Sequence, residues 1–211
     1  MSFGKKADND NKNQETAEER KLTPEEKAQK RLREFLETVL ELVIVAALVF
    51  LFLRFVAFRS VVYGDSMNAT LKDHDNLVVE RVSYYFHEPE RFDIVVFVPP
   101  NIVDGKDHYI KRVIGLPGET VEIIDGRVHI NGELLTDDTY GLDIMYKNRN
   151  KEYGTLHYGP VTVPEGEIFV LGDNRNNSHD SRASDVGTIS IKTLSGRVLF
   201  RFWPLNAMKK F

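Results

Sequence analysis

Asn76–Val82, NLVVERV, Arg91–Val98, RFDIVVFV, and Tyr109–Gly115, YIKRVIG, decide the fold. Each is a short run rich in β-branched and aromatic side chains, too short for a globular helix and closed by Gly, Pro, Asn or Asp neighbours. The same texture continues in TVEII at 120–124, RVHI at 127–130, EIFVLG at 167–172 and RVLFRFW at 197–203. Asp125-Gly126 separates two of these runs and predicts a two-residue hairpin, and Asn131-Gly132 marks another turn. No repeat period appears and no long helical period intervenes between strands, which argues against a parallel α/β sheet. The expectation is a mainly β, antiparallel unit over residues 59–211, with a polar Tyr/Gly/Asn-rich excursion at 134–160. Phe200, Phe202 and Trp203 suit either a core strand ending at an interface or a membrane-facing patch, and the strand reading is preferred.

Outward from this unit the character of the chain changes. Residues 38–58 are apolar on every side apart from Thr38, Glu41 and Arg54. Roughly 20 helical residues at about 1.5 Å each cross a hydrocarbon core, so this segment is expected to span a membrane. A cleaved signal sequence fits less well, because Arg59, Ser60, Val61 and Val62 follow it rather than a small-x-small site. Residues 1–37 mix both signs of charge, carry few large apolar groups in their first 34 positions and read as a mostly disordered tail. Within that tail Thr23-Pro24-Glu25-Glu26 carries the signature of a helix start that could run into the span. Arg20, Lys21, Lys27, Lys30, Arg31 and Arg33 precede the span, and only Arg59 and Lys72 closely follow it. The positive-inside rule then places the N-terminus in the cytoplasm and the β unit outside, against membrane lipid.

Composition narrows the chemistry. A formal net charge of -4 with no concentrated basic surface argues against nucleic acid as a partner. The absence of cysteine removes disulfide scaffolds, thiolate metal sites and thiol nucleophiles together. Neither a phosphate-binding loop nor a metalloprotease helix motif occurs, Asp73-His74-Asp75 reads as a solvated turn, and no cofactor or metal is expected. Ser66, in VVYGDSMNATL just after the span, is then the candidate nucleophile, and it needs a base. His179 beside Asp180 is one candidate, but adjacent residues on extended backbone point in opposite directions, so Asp180 is badly placed to orient its neighbour. Lys111 is the other. In β alternation Tyr109, Lys111 and Val113 share one face and Ile110, Arg112 and Ile114 the other, so burying either face draws a cation inward unless the strand is an edge with both solvated. Burial lowers a lysine pKa by up to about 3 to 5 units, enough to leave a neutral amine near pH 7.

GDSMNATL at 64–71, YIKRVIGLPGE at 109–119 and GDNRNNSHDSR at 172–182, in this order after an N-terminal span, resemble the signature stretches of the bacterial type I signal peptidases. The resemblance covers most of the outer unit and implies a serine/lysine protease that removes signal peptides from exported preproteins through an acyl-enzyme. It implies Ser66 as nucleophile, Lys111 as general base, Ser178 as the hydroxyl that orients the lysine, and Asp180 with Arg182 as a supporting ion pair. The oxyanion hole is expected from backbone at Ser66 and Gly64, since a serine that some relatives carry stands here as Gly64. Ala69 and Asn176 occupy positions where the family usually has proline and aspartate. Met67 is expected as an apolar wall of the substrate site, and small residues are expected at the first and third substrate positions before the cut. The long tail and short excursion look more like the enzymes of Gram-positive bacteria. Two other readings share the dyad or the fold: a self-cleaving repressor-type protease, which the span and the lack of a DNA-binding helical domain disfavour, and a non-cleaving membrane-tethered assembly factor, which has no need of both Ser66 and Lys111.

Overall fold

The structure, a computed structural model, describes residues 23–100, 108–141, 145 and 156–211. The expected disorder of residues 1–22, and the middle of the excursion, lie outside these residues. The chain divides into two compact units, one ending at Phe50 and one starting at Leu51.

Helix α1 (Pro24–Phe55) begins where the sequence signature places it. Thr23 Oγ1 accepts the Glu26 N–H at 3.3 Å and Glu26 Oε2 accepts the Thr23 N–H at 2.8 Å, a reciprocal cap that satisfies donors the first turn leaves open. Arg33 and Glu37, four apart on one face, pair at 2.8 Å. Residues 24–37 are therefore helical rather than a disordered tail, because capping and spaced opposite charges support them without a core. Within Pro24–Phe52 an 18-residue window reaches a mean hydropathy of 2.5, and the helix is long and apolar enough to cross a membrane. Its end differs from the expected boundary at 58, since Ala57 and Phe58 already belong to a strand.

The β unit holds two antiparallel sheets. The larger is built from β1 (Ala57–Val61), β2 (Asn76–Glu80), β3 (Ile94–Phe97), β4 (Tyr109–Gly115), β9 (Glu167–Leu171), β10 (Ile189–Ser190), β11 (Leu194–Trp203) and β12 (Lys209–Lys210). Its order is β1-β2-β11-β3-β4-β9-β10, with β12 also on β11. The smaller comprises β5 (Thr120–Ile124), β6 (Arg127–Ile130), β7 (Glu133–Leu134) and β8 (Tyr158–Thr162), in the order β7-β6-β5-β8. Asp125 and Gly126 both take positive φ, 48° and 73°, as the tight hairpin between β5 and β6 demands. Both ends of the expected excursion are strands of the small sheet, because β8 closes that sheet by pairing with β5.

Strand alternation explains the core. Ile94, Val96 and Ile110 face one cluster with Leu71, Leu77 and Val79, while Val95, Phe97 and Val113 face another with Ile168, Val170 and Ile189. Ile114, Phe169 and Leu171 pack instead on Val121, Ile123 and Val128 of the small sheet. β4 thus runs between β3 and β9 with apolar groups on both faces, so both of its cations are buried, Lys111 at 4% and Arg112 at 2% exposure. β11 is a full strand, as preferred from the sequence, but Phe200 and Trp203 point outward while Val198 faces the core.

Candidate active site

The loop between β1 and β2 carries Ser66. Val62 N–H donates to the Asp75 carbonyl at 2.9 Å and His74 N–H to the Val62 carbonyl at 2.9 Å, which pins the loop at its neck. Ser66 opens a tight turn, where the Asn68 N–H donates to the Asp65 carbonyl at 3.0 Å and the Leu71 N–H to the Met67 carbonyl at 2.8 Å. Lys111 reaches this turn from β4, with Nζ donating to Ser66 Oγ at 2.8 Å and to the Ile110 carbonyl at 3.1 Å. Both residues line a cleft of about 1200 Å³ along the exposed edge strand β1, together with Tyr109 and His179.

The electrostatics of Lys111 follow from burial. Loss of water disfavours the ammonium, and this outweighs the attraction of Asp180 and Asp173, so the amine is pushed from 10.5 down to about 8, with Arg182 adding to the depression. An amine so placed is neutral in a usable fraction near neutral pH and can accept a proton from the hydroxyl it contacts. Asp180 is fully buried, which alone disfavours its charge. The Arg182 guanidinium, bound through Nε at 2.8 Å and Nη2 at 2.9 Å, with the Gly172 N–H at 3.0 Å, reverses that and holds the carboxyl below its usual range.

His179 does not pair with Asp180. Its Nε2 meets Asp185 at 3.0 Å, and its ring stands edge-on to Tyr109. His179 and Asp180 lie in the irregular loop between β9 and β10 rather than on a strand, so the course of that loop and not strand alternation sends the two side chains to different partners.

Three expected roles are altered. Met67 is 1% exposed and packs among Val62, Leu71 and Leu77, so it is core and not a wall of the cleft; the turn after Ser66 rotates it inward. Gly64, at φ 81°, gives its N–H to Asp73 Oδ1 at 2.8 Å, which removes it as an oxyanion donor. Ser178 Oγ is buried beside Asp180 and helps hold that carboxyl ionised, yet it makes no hydrogen bond of good geometry among the described residues. The second hydrogen bond of Lys111 goes to the Ile110 carbonyl instead. Asp75, expected in a solvated turn, is buried and paired with Arg201 at 2.6 Å.

The sequence reading also passed over the turn that holds these parts together. Asn174 donates from its backbone N to the Ser66 carbonyl at 3.0 Å and from Nδ2 to the Asp65 carbonyl at 3.0 Å. Asp173 takes a bidentate pair from Arg112, at 2.8 and 2.6 Å. A side chain at Gly172 would overlap both Ser178 Oγ and the Ser66 carbonyl oxygen, so only glycine fits there. All three residues lie inside GDNRNNSHDSR, and the alternation that sets Arg112 on the face opposite Lys111 was the available clue.

Residues 35–203 match the family model described as "Signal peptidase, peptidase S26". The chain belongs to the signal peptidase family, peptidase S26. Among curated signal peptidases, one termed "Probable signal peptidase I-1" from Synechocystis sp. is 42% identical over 82% of this chain and 85% of its own length. A second from that organism, "Probable signal peptidase I-2", is 40% identical over 72% of this chain, which spans 65% of the relative's length. "Signal peptidase I S" of Bacillus subtilis is 38% identical over 84% of this chain and 94% of its own. The similarity therefore extends to cyanobacterial as well as Gram-positive type I signal peptidases.

Proposed function

We propose that this protein is a membrane-anchored serine endopeptidase that removes signal peptides from exported preproteins, with Ser66 as nucleophile and Lys111 as general base. The observation that carries the reading is the 2.8 Å hydrogen bond between Lys111 Nζ and Ser66 Oγ, made by a lysine held near pKa 8. Neutral Lys111 takes the Ser66 proton as Oγ attacks the carbonyl carbon of the scissile peptide. The oxyanion that forms is met by the Ser66 N–H, which no described group accepts. Collapse breaks the C–N bond, Lys111 returns its proton to the leaving amine, and an ester to Ser66 remains. Lys111 then deprotonates water, which hydrolyses the ester and restores the serine.

Ser178 orients the amine once substrate is bound. Its hydroxyl is buried beside Asp180 without a hydrogen bond of good geometry, and catalytic hydrogen bonds often tighten only in the substrate complex. Asp180 and Arg182 support the loop beneath. The basic flank of α1 lies in the cytoplasm and the cleft outside, where a translocated preprotein presents the end of its signal helix. Small substrate residues at the first and third positions before the cut suit a site reached by an extended strand along β1. Incubating detergent-solubilised protein with a preprotein and sequencing the new N-terminus tests the reading. Cleavage after a small-x-small sequence is expected, and an intact preprotein would contradict it.

A further inference from the structure

Residues 138–141, which follow β7 and lie outside the three signature stretches, contact both arginines that border the dyad. Asp138 receives two hydrogen bonds from Arg175, Nη1 at 2.6 Å and Nη2 at 2.8 Å, and the two side chains are only 7% and 3% exposed. The Tyr140 ring lies 3.5 Å from the Arg112 guanidinium and 5.3 Å from the Phe92 ring. Gly141 comes so close that a Cβ would overlap the Arg175 guanidinium.

These arginines are tied to one turn. Arg175 Nε donates to the Gly172 carbonyl at 3.1 Å, and Arg112 grips Asp173 with two bonds. The next residue, Asn174, holds the carbonyls of Asp65 and Ser66. Arg112 is also the neighbour of Lys111 in β4. The turn at 172–174 therefore registers the backbone of the nucleophile against the strand that carries the base, and residues 138–141 hold that turn from behind through both arginines. A buried carboxylate facing a guanidinium in a bidentate geometry fixes direction as well as distance.

We propose that Asp138 and Tyr140 are positioning residues that fix the separation of Ser66 and Lys111 by clamping Arg175 and Arg112. The proposal rests on the reading of Ser66 and Lys111 as the reacting pair. Proton transfer across a 2.8 Å contact is sensitive to small displacement, and a misplacement of about 1 Å costs on the order of 100-fold in rate. Substrate binding along β1 involves neither residue, so KM should not follow kcat.

The test uses the full-length protein in detergent with a preprotein substrate, measuring kcat, KM and thermal midpoint for Asp138→Asn, Asp138→Glu and Tyr140→Leu, with Ser66→Ala as control. Asp138→Asn should lower kcat by roughly 10- to 100-fold with KM within about twofold, and Asp138→Glu should recover part of the loss. Tyr140→Leu should lower kcat in the same direction by a smaller factor. Folded variants with wild-type kcat, or a loss that only tracks the folded fraction, would overturn the proposal. If Asp138→Asn does not fold, Tyr140→Leu decides, because it leaves the Asp138–Arg175 pair intact. An active Ser66→Ala protein would instead sink the underlying assignment of the nucleophile, a separate result from any obtained at Asp138 or Tyr140.

Discussion

Lys111 is held in a site that works against its own charge, and its proposed function and its energetic cost have the same origin. Its depressed pKa, about 8 against 10.5, means that the folded protein binds the lysine proton less tightly than the unfolded chain. Between these values stability rises with pH, and below about 8 the full cost of the buried ammonium is present. On the proposed mechanism the same titration governs the reaction, since only the neutral amine accepts a proton. kcat/KM should therefore rise about tenfold per pH unit on the acid side and level off near pH 8. A profile flat down to pH 6, or one inflecting near the ordinary histidine range, would contradict the assignment of the base. Ser178 makes a second case at this scale. Its hydroxyl lies beside the Asp180 carboxylate without a hydrogen bond of good geometry in the resting site, so Ser178→Ala should lower the thermal midpoint only slightly. Turnover should nevertheless fall by roughly 10- to 1000-fold if the hydroxyl orients the amine during catalysis. A loss of stability without a loss of turnover, read from melting curves and single-turnover rates on the same preparation, would remove Ser178 from the mechanism.

Elements place these residues where a solvated chain could not. β4 buries Lys111 because β3 and β9 pair with it on either side, and the turn at 172–174 reaches Ser66 because Gly172 lacks a side chain. Gly172→Ala should accordingly displace the turn from Ser66 and lower the cleavage rate by about 100-fold or more, measured on protein whose fold is checked by circular dichroism. Wild-type turnover in Gly172→Ala would show that the close approach is incidental. At this scale much could be read from the chain alone. The β runs, the Asp125-Gly126 hairpin and the Thr23 cap are local patterns with local causes, and each forms where its residues indicate. The alternation in YIKRVIG put one cation on each face but left open an edge strand with both solvated. It did not reveal that β4 is covered on both faces, which depends on strand order and so on distant residues. Gly64, Met67 and Ser178 were altered for the same kind of reason. The direction of an N–H, the rotation of a turn and the partner of a hydroxyl are set by Asp73, by the Leu71–Leu77 core and by Gly172, none of which a linear spacing connects to them.

The whole chain joins one apolar helix to one β unit whose cleft runs along an open sheet edge. On the proposed orientation, with the basic residues that precede the apolar stretch of α1 in the cytoplasm, protease added to intact cells should digest the β unit and spare residues 1 to about 37. Protection of the β unit and loss of the N-terminal segment would reverse the topology and deny the cleft any translocated substrate. The proposed function rests on the pair Ser66 and Lys111, so the most direct measurement is the preprotein cleavage rate of purified Lys111→Ala beside His179→Ala and the wild type. The expected result is a loss of about 1000-fold or more for Lys111→Ala in a folded protein, with His179→Ala retaining most of the rate. A folded Lys111→Ala protein that cleaves within tenfold of the wild-type rate, or a His179→Ala protein that is inactive, would contradict it.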